Sequence, residues 1–255
     1  MSDTLILGAT GNVGSALANI LNLNQRSHRG GRQFEGATEL FLVTPFSSEA
    51  VELTKHYVSE AKRVGIQKIV KLSALGADPK SSSRILRLHG EAEEIVRESG
   101  IPCAFIRPNA FMQNFIQHYG SAIRSRSAIS VPARDSKVSF VDTQDVARVA
   151  YLAFLPPQLD GQVFEVTGAE PLSFEDAARL LSSVLGREIR YVPTSEEETR
   201  DALMKVGVPE WRREALLELY GTYRDGLAEK IVSQPFKMTT LTEFFKQNQT
   251  AWGIP

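Results

Sequence analysis

The sequence predicts an α/β fold built on a parallel sheet, because short apolar runs alternate with stretches of helical periodicity between residues 4 and 108. Two further observations complete the prediction. Three glycines follow the first apolar run, and after about residue 140 the texture changes to strongly capped helices. A sheet domain over 1–140 and a smaller, mostly helical cap over 141–255 are expected.

The elements follow in order. "TLIL" (4–7) is a short buried strand, and residues 12–22 carry Val13, Leu17, Ile20 and Leu21 at helical spacing. "ELFLVT" (39–44) is a strand, 48–64 a helix, "KIVKLSA" (68–74) a strand, 89–99 a helix ended by Gly100, and "CAFIRP" (103–108) a strand. Beyond residue 140, Ser173 opens a helix with acidic residues in its first turn. Ser195 and Glu198 form a capping box, "EIRYVP" reads as an edge strand, and Pro209 begins a third helix. Trp211 and Tyr220 of this region suit helix packing or the wall of a pocket.

Composition narrows the functional classes. The 29 basic and 30 acidic side chains leave a net charge of -1, so no broad cationic surface is offered to a nucleic-acid backbone. The single cysteine, Cys103, lies in an apolar run and reads as a buried structural thiol, and no Cys/His cluster has metal-ligand spacing. No apolar run approaches the ~20 residues needed to span a bilayer. A soluble, cytoplasmic protein without a metal is expected.

"LILGATGNVG" places Gly8, Gly11 and Gly14 at the junction of a strand and a helix. In that context Gly8 serves a tight turn, Gly11 the approach of backbone to a pyrophosphate, and Gly14 the contact of helix with strand. Amides at a helix N-terminus, with the helix dipole, suit an anionic phosphate.

Together with "FLVTPFSS", "AKRVGIQKIVKLSALGAD", "HGEAEEIVRESGIP", "IRPNAFMQN", "VSFVDTQDVARVA" and "EVTGAEPLSFEDAARLLSSVLGREIRYV", this loop resembles the NmrA-like branch of the atypical short-chain dehydrogenase/reductases, in order along nearly the whole chain. The resemblance implies a Rossmann-like sheet binding NADP or NAD. It assigns the phosphate loop to Gly8, Thr10, Gly11, Asn12, Val13 and Gly14. It sets Thr44, Pro45 and Phe46 beside the ribose and nicotinamide, Ser73 at the mouth of the next strand, and Arg107, Pro108 and Asn109 at the edge of the nicotinamide pocket. Phe111 and Met112 would face the substrate. Where classical members carry Tyr-x-x-x-Lys, this chain has Ile85 and His89, with Glu93 following. Ile85 cannot donate a proton. His89 is suited to bond a ribose hydroxyl or shuttle a proton near neutral pH with Glu93 orienting it, or is simply a helix-start histidine with a solvated partner.

The segment "LNLNQRSHRGGRQFEG" (21–36) departs from the family. It lacks apolar alternation where a second strand is expected, and only residues 8–38 separate the first strand from "ELFLVT". The second and third strands and a helix therefore read as missing, which leaves the sheet shortened and the first strand as an exposed edge for a loop or a second subunit to cover. Residues 23–37 would then detour around the sheet, or the connection would be left-handed. Arg26, Arg29 and Arg32, with His28, are suited either to a replacement clamp on a 2′-phosphate or to a solvated loop.

Three functions follow as expectations. The first is an NAD(P)H-dependent oxidoreductase reducing a small electrophile of the quinone, dye or iminium class under the cap, by cofactor positioning and exclusion of water. The second is a cofactor-sensing regulator acting through a protein partner, motivated by Ile85. The third is a truncated variant with impaired cofactor binding.

Overall fold

The computed structural model describes residues 2–155 and 160–253. In chain order the elements are β1 (Asp3–Ile6), α1 (Asn12–Leu23), β2 (Ser27–Gly30), β3 (Glu39–Leu42), α2 (Ala50–Val64), β4 (Lys68–Leu72), α3 (Arg84–Glu98) and β5 (Cys103–Pro108). Next come α4 (Asn114–Gln117), α5 (Gly120–Arg126), β6 (Ala128–Val131), β7 (Lys137–Val138), α6 (Thr143–Ala153) and β8 (Val163–Val166). The chain finishes with β9 (Leu172–Ser173), α7 (Phe174–Leu185), β10 (Arg190–Pro193), α8 (Glu196–Lys205), α9 (Glu210–Arg224) and α10 (Leu241–Gln247).

Two compact units result, one of Met1–Pro108 with Thr143–Val166, the other of Asn109–Asp142 with Thr167–Pro255. The single boundary expected near residue 140 is thus replaced by several crossings. The cause lies in α6 and β8: α6 packs its apolar side on α1, and β8 pairs with β5, so both belong to the sheet.

The first unit holds a six-stranded parallel sheet in the order β2-β1-β3-β4-β5-β8. On one face Leu5, Leu40, Leu42, Ile69 and Phe105 pack against Tyr57, Val58 and Ala61 of α2 and Val96 of α3. Strand residues of the other parity, among them Ile6, Phe41, Val70 and Ala104, are equally buried on the face of α1 and α6.

The second strand is present, contrary to the expectation from sequence. Ser27–Gly30 pairs with β1 in parallel register, Asp3 opposite Ser27 and Ile6 opposite Gly30, so β1 is interior and β2 is the edge. Residues 31–38 then cross to β3 without a third strand or helix. Phe34 and Ala37 of this crossover are buried in the α2 face, and Phe34 stacks on Tyr57 at 6.2 Å. The chain thereby reverses direction along the sheet and changes face at once, which keeps the crossover's hand without the expected detour.

Helix α3 begins at Arg84 rather than at residue 89, so His89 is a mid-helix residue. In the second unit, Ser173 and Ser195 cap α7 and α8 as full capping boxes, with Asp176 and Glu198 as partners, and Pro209 precedes α9. A third box, Thr240 with Glu243, opens α10. The "EIRYVP" strand pairs in parallel with β6. An aromatic core of Phe115, Phe140, Phe174 and Phe245 fills this unit, and Tyr220 packs on Phe174 and Tyr223 and shares a 2.9 Å hydrogen bond with Tyr119.

Candidate functional site

Strand β1 delivers the glycine loop to the carboxyl end of the sheet, where open α/β sheets take their ligands. Gly8 turns the chain at φ 75°, and the Gly11 amide donates to Gly8 O at 2.9 Å. A Cβ on Gly14 would stand 2.2 Å from Gly8 O, so only glycine lets α1 start this close to the loop. Helix α1 has no side-chain cap and no acidic residue in its first turn. Its amino end is therefore electropositive and uncompensated by carboxylates of its own. Thr10 is exposed and Asn12 half-buried, while Val13 sends its side chain into the core and offers the loop only backbone.

The two adjacent glycines of the opening segment have a steric reason. A Cβ on Gly30 would lie 2.6 Å from the Ala9 methyl, and Gly31 sits at φ 125°. Strand β2 thus ends against the glycine loop, and Arg32 follows on the exposed surface. The structure does not gather the arginines into one clamp. Arg26 pairs with Glu39 at 2.5 Å and Arg29 with Asp3 at 2.9 Å, and Arg29 also donates to Glu35 O. Those two guanidiniums brace β2 against β1 and β3, because they precede the strand's carboxyl end. His28 lies partly buried within the strand.

Thr44, Pro45 and Phe46 continue β3 and meet Ile85 and His89 of α3 around a cavity of about 70 Å³. Ser47, Ala50 and Leu88 complete its wall. The Ser47 hydroxyl is buried without a hydrogen-bond partner among the described residues. Neither Ser47 nor Leu88 was singled out by sequence, although the "FLVTPFSS" resemblance already covered Ser47. The walls are mostly apolar, with Thr44, Ser47 and His89 as polar groups.

Beneath His89 lies an ionic cluster on the α3 face of the sheet. Glu93 is 3% exposed and does not orient His89. Arg107 donates Nε–H and Nη2–H to its two oxygens at 2.8 and 2.7 Å, and Ser73 Oγ–H donates to Oε1 at 2.6 Å. Ser73, expected at the mouth of this strand, is buried and engaged in this bond. Burial first, then the positive charges of Lys71 and Arg107, push the His89 imidazole down to about 3. It is therefore a neutral ring at physiological pH rather than a group titrating near neutrality. Lys71, which sequence reading passed over, is wholly buried in β4. Burial lowers its ammonium to about 8, against a raising contribution from Glu93. Its parity with Ile69 was the available signal.

Pro108 closes β5, its carbonyl accepting the Leu75 amide at 2.9 Å. In the second unit Asn109 is buried. Its side-chain amide donates to Ser139 Oγ at 2.6 Å and Ala228 O at 2.8 Å, and its Oδ1 accepts the Ala110 amide. Phe111 bridges to Val141, and Met112 is buried in the aromatic core. These groups hold their own unit together. Among the described residues no cluster has the make-up of a metal site, and no helix is long and apolar enough to cross a membrane.

Comparison with known proteins agrees with this architecture. The NAD(P)H azoreductase of Xenophilus azovorans is 34% identical over 225 residues, 86% of this chain and 78% of that protein. The NADP(H) complex of triphenylmethane reductase from Citrobacter sp. superposes with a TM-score of 0.80 at 22% identity, covering 96% of this chain and 99% of that one. The NADPH complex of a quinone oxidoreductase from Escherichia coli gives 0.80 at 20%, with the same coverage of both chains. Residues 31–246 match the model of the NmrA-like family, and the chain belongs to that family.

Proposed function

We propose that this protein is an NAD(P)H-dependent oxidoreductase that reduces a small electrophile of the dye or quinone class. The observation that carries the reading is the cavity at the carboxyl end of the sheet, where Thr44, Pro45 and Phe46 face Ile85 and a neutral His89. The relative named as an azoreductase supports it. The dinucleotide fits the residues present: the cradle at Gly14 admits no Cβ, and the amino end of α1 carries no carboxylate.

In this reading Gly8, Thr10, Gly11, Asn12, Val13 and Gly14 hold the pyrophosphate on backbone amides. Arg32, beside the Gly30–Gly31 end of β2, reads the adenosine ribose and favours NADPH over NADH through its guanidinium. Arg26 and Arg29 support the strand that presents it. Thr44, Ser47 and His89 supply hydrogen bonds in the cavity, and Pro45, Phe46 and Ile85 keep water from the reacting atoms. The bound cofactor supplies hydride. Arg107 and Glu93 fix the floor of the site, and Ser73 joins them there.

A cytoplasmic location, a homodimer and no nucleic-acid partner belong to the same reading. With β1 interior, a dimer contact on the sheet edge would fall on β2, whose Ser27, His28 and Arg29 blunt it. Ile85 in the cavity favours one second reading, a cofactor-sensing regulator. NADPH oxidation assayed with simple quinones and azo dyes tests the first. Turnover that Gly11→Asp abolishes is expected, and inactivity of a cofactor-loaded protein on both classes would shift the reading to the second. Calorimetry with reduced and oxidised cofactor then decides, since a redox sensor requires unequal affinities.

A further inference from the structure

We propose that Lys71 is the buried proton source of this site, delivering its proton through His89. The inference rests on the reductase reading above. Its starting point is an ammonium that the fold has no structural use for. Lys71 is 0% exposed, and among the described residues its Nζ–H donates only to Leu72 O, at 3.0 Å, with no ion pair. The carboxylate that would ordinarily compensate it is Glu93, whose two oxygens are already engaged by Arg107 and Ser73, with Arg97 a further 3.6 Å neighbour. A buried charge without a partner is costly, and an apolar side chain would pack in its place. Its presence here points to chemistry.

The placement fits that chemistry. Lys71 lies opposite Leu42 in the sheet register, on the same face, and Thr44, the next residue of that parity on the β3 side, lines the cavity with His89. The charged and titratable groups around Lys71 are His89 and Glu93 of α3, both coupled to it electrostatically, with Arg107 of β5 and Arg97 of α3 on the Glu93 carboxylate; Leu42 and Phe105 are its strand neighbours. His89 has no hydrogen-bond partner among the described residues. As a neutral imidazole it can accept a proton on one nitrogen while releasing one from the other. The cavity of about 70 Å³ that His89 lines has room for water beside the imidazole, on the side where a substrate would accept the proton.

The balance is simple. Hydride from the cofactor carries two electrons and one hydrogen to a quinone or azo group and leaves an electron pair on the adjoining oxygen or nitrogen. The imidazole N–H gives its proton to that pair as the other ring nitrogen takes one from Lys71. Lys71 is left as the free amine, which solvent reprotonates after product release. An iminium substrate needs hydride alone, so Lys71 is irrelevant to it.

The test is stopped-flow oxidation of NADPH from pH 6 to 10 by a 1,4-naphthoquinone, an azo dye and a preformed iminium ion, in the wild type, Lys71→Met and Lys71→Arg. The quinone and dye rates are expected to fall above pH 8 in the wild type. Both variants should be at least tenfold slower at pH 7 and lack that limb, with iminium reduction changed less than twofold. Arginine keeps the charge but holds its proton, so recovery in Lys71→Arg, or an unchanged pH limb in Lys71→Met, overturns the proposal. Carbon-13 NMR titration of the Lys71 Cε in the wild type separates this inference from its parent reading. A midpoint near 8 supports the proton source even where quinones and dyes prove not to be substrates, and a midpoint in the ordinary lysine range overturns it.

Discussion

Gly30 at the end of β2 and Ala9 in the glycine loop are in contact so close that a Cβ on the former would stand 2.6 Å from the methyl of the latter. The junction of β2 with the glycine loop therefore depends on a missing side chain. Gly30→Ala should destabilise the protein by about 1–3 kcal/mol, the usual cost of overpacking, and weaken NADPH binding by displacing the loop. Adding Ala9→Gly should restore most of both losses. Urea unfolding of the two single variants and the double variant closes the cycle, and strict additivity would show that the contact is not the cause.

Arg32 is the arginine of the opening segment left exposed after the carboxyl end of β2, whereas Arg26 and Arg29 are paired with carboxylates. Arg32→Glu should weaken NADPH at least tenfold, about 1.4 kcal/mol, and NADH less than threefold. Arg26→Gln should instead lower stability and leave the ratio of the two cofactors unchanged. Fluorescence titration reads both, and equal losses for NADPH and NADH in Arg32→Glu would remove the assignment.

Glu93 holds Arg107 by two hydrogen bonds of 2.7–2.8 Å and also accepts from Ser73. Glu93→Gln keeps the size but turns an amide N–H toward the guanidinium, which is left half-buried and poorly paired. A loss of about 3–5 kcal/mol is expected. A cost below ~1 kcal/mol in chemical denaturation would mean that solvent takes over the pairing.

Acid should destabilise the fold through His89. Its folded-state value, about 3, lies below the 6.5 of an unfolded histidine, so between these pH values the unfolded chain binds the extra proton. The contribution is present above pH 6.5 and is lost as pH falls toward 3, with a slope of at most ~1.4 kcal/mol per pH unit. His89→Gln should flatten the decline of melting temperature between pH 6.5 and 4. An identical decline in the variant would count against a neutral ring at this position.

The sequence determined the glycine loop, the alternation of strand and helix, the helix start at Ser173 and the capping box at Ser195, because each is a local pattern of residue types set by backbone geometry. Family membership was legible for the same reason, being spread over many short motifs. Tertiary structure alone decided the rest. "SHRG" carries no strand pattern of its own and becomes β2 only by pairing with β1, while Phe34 and Tyr57 hold the crossover that replaces a whole strand. The partners of Glu93, the charge state of His89 and the burial of Lys71 likewise depend on side chains brought together from α3, β4 and β5. Electrostatic environment is a property of neighbours in space, and one chain read in order does not contain it.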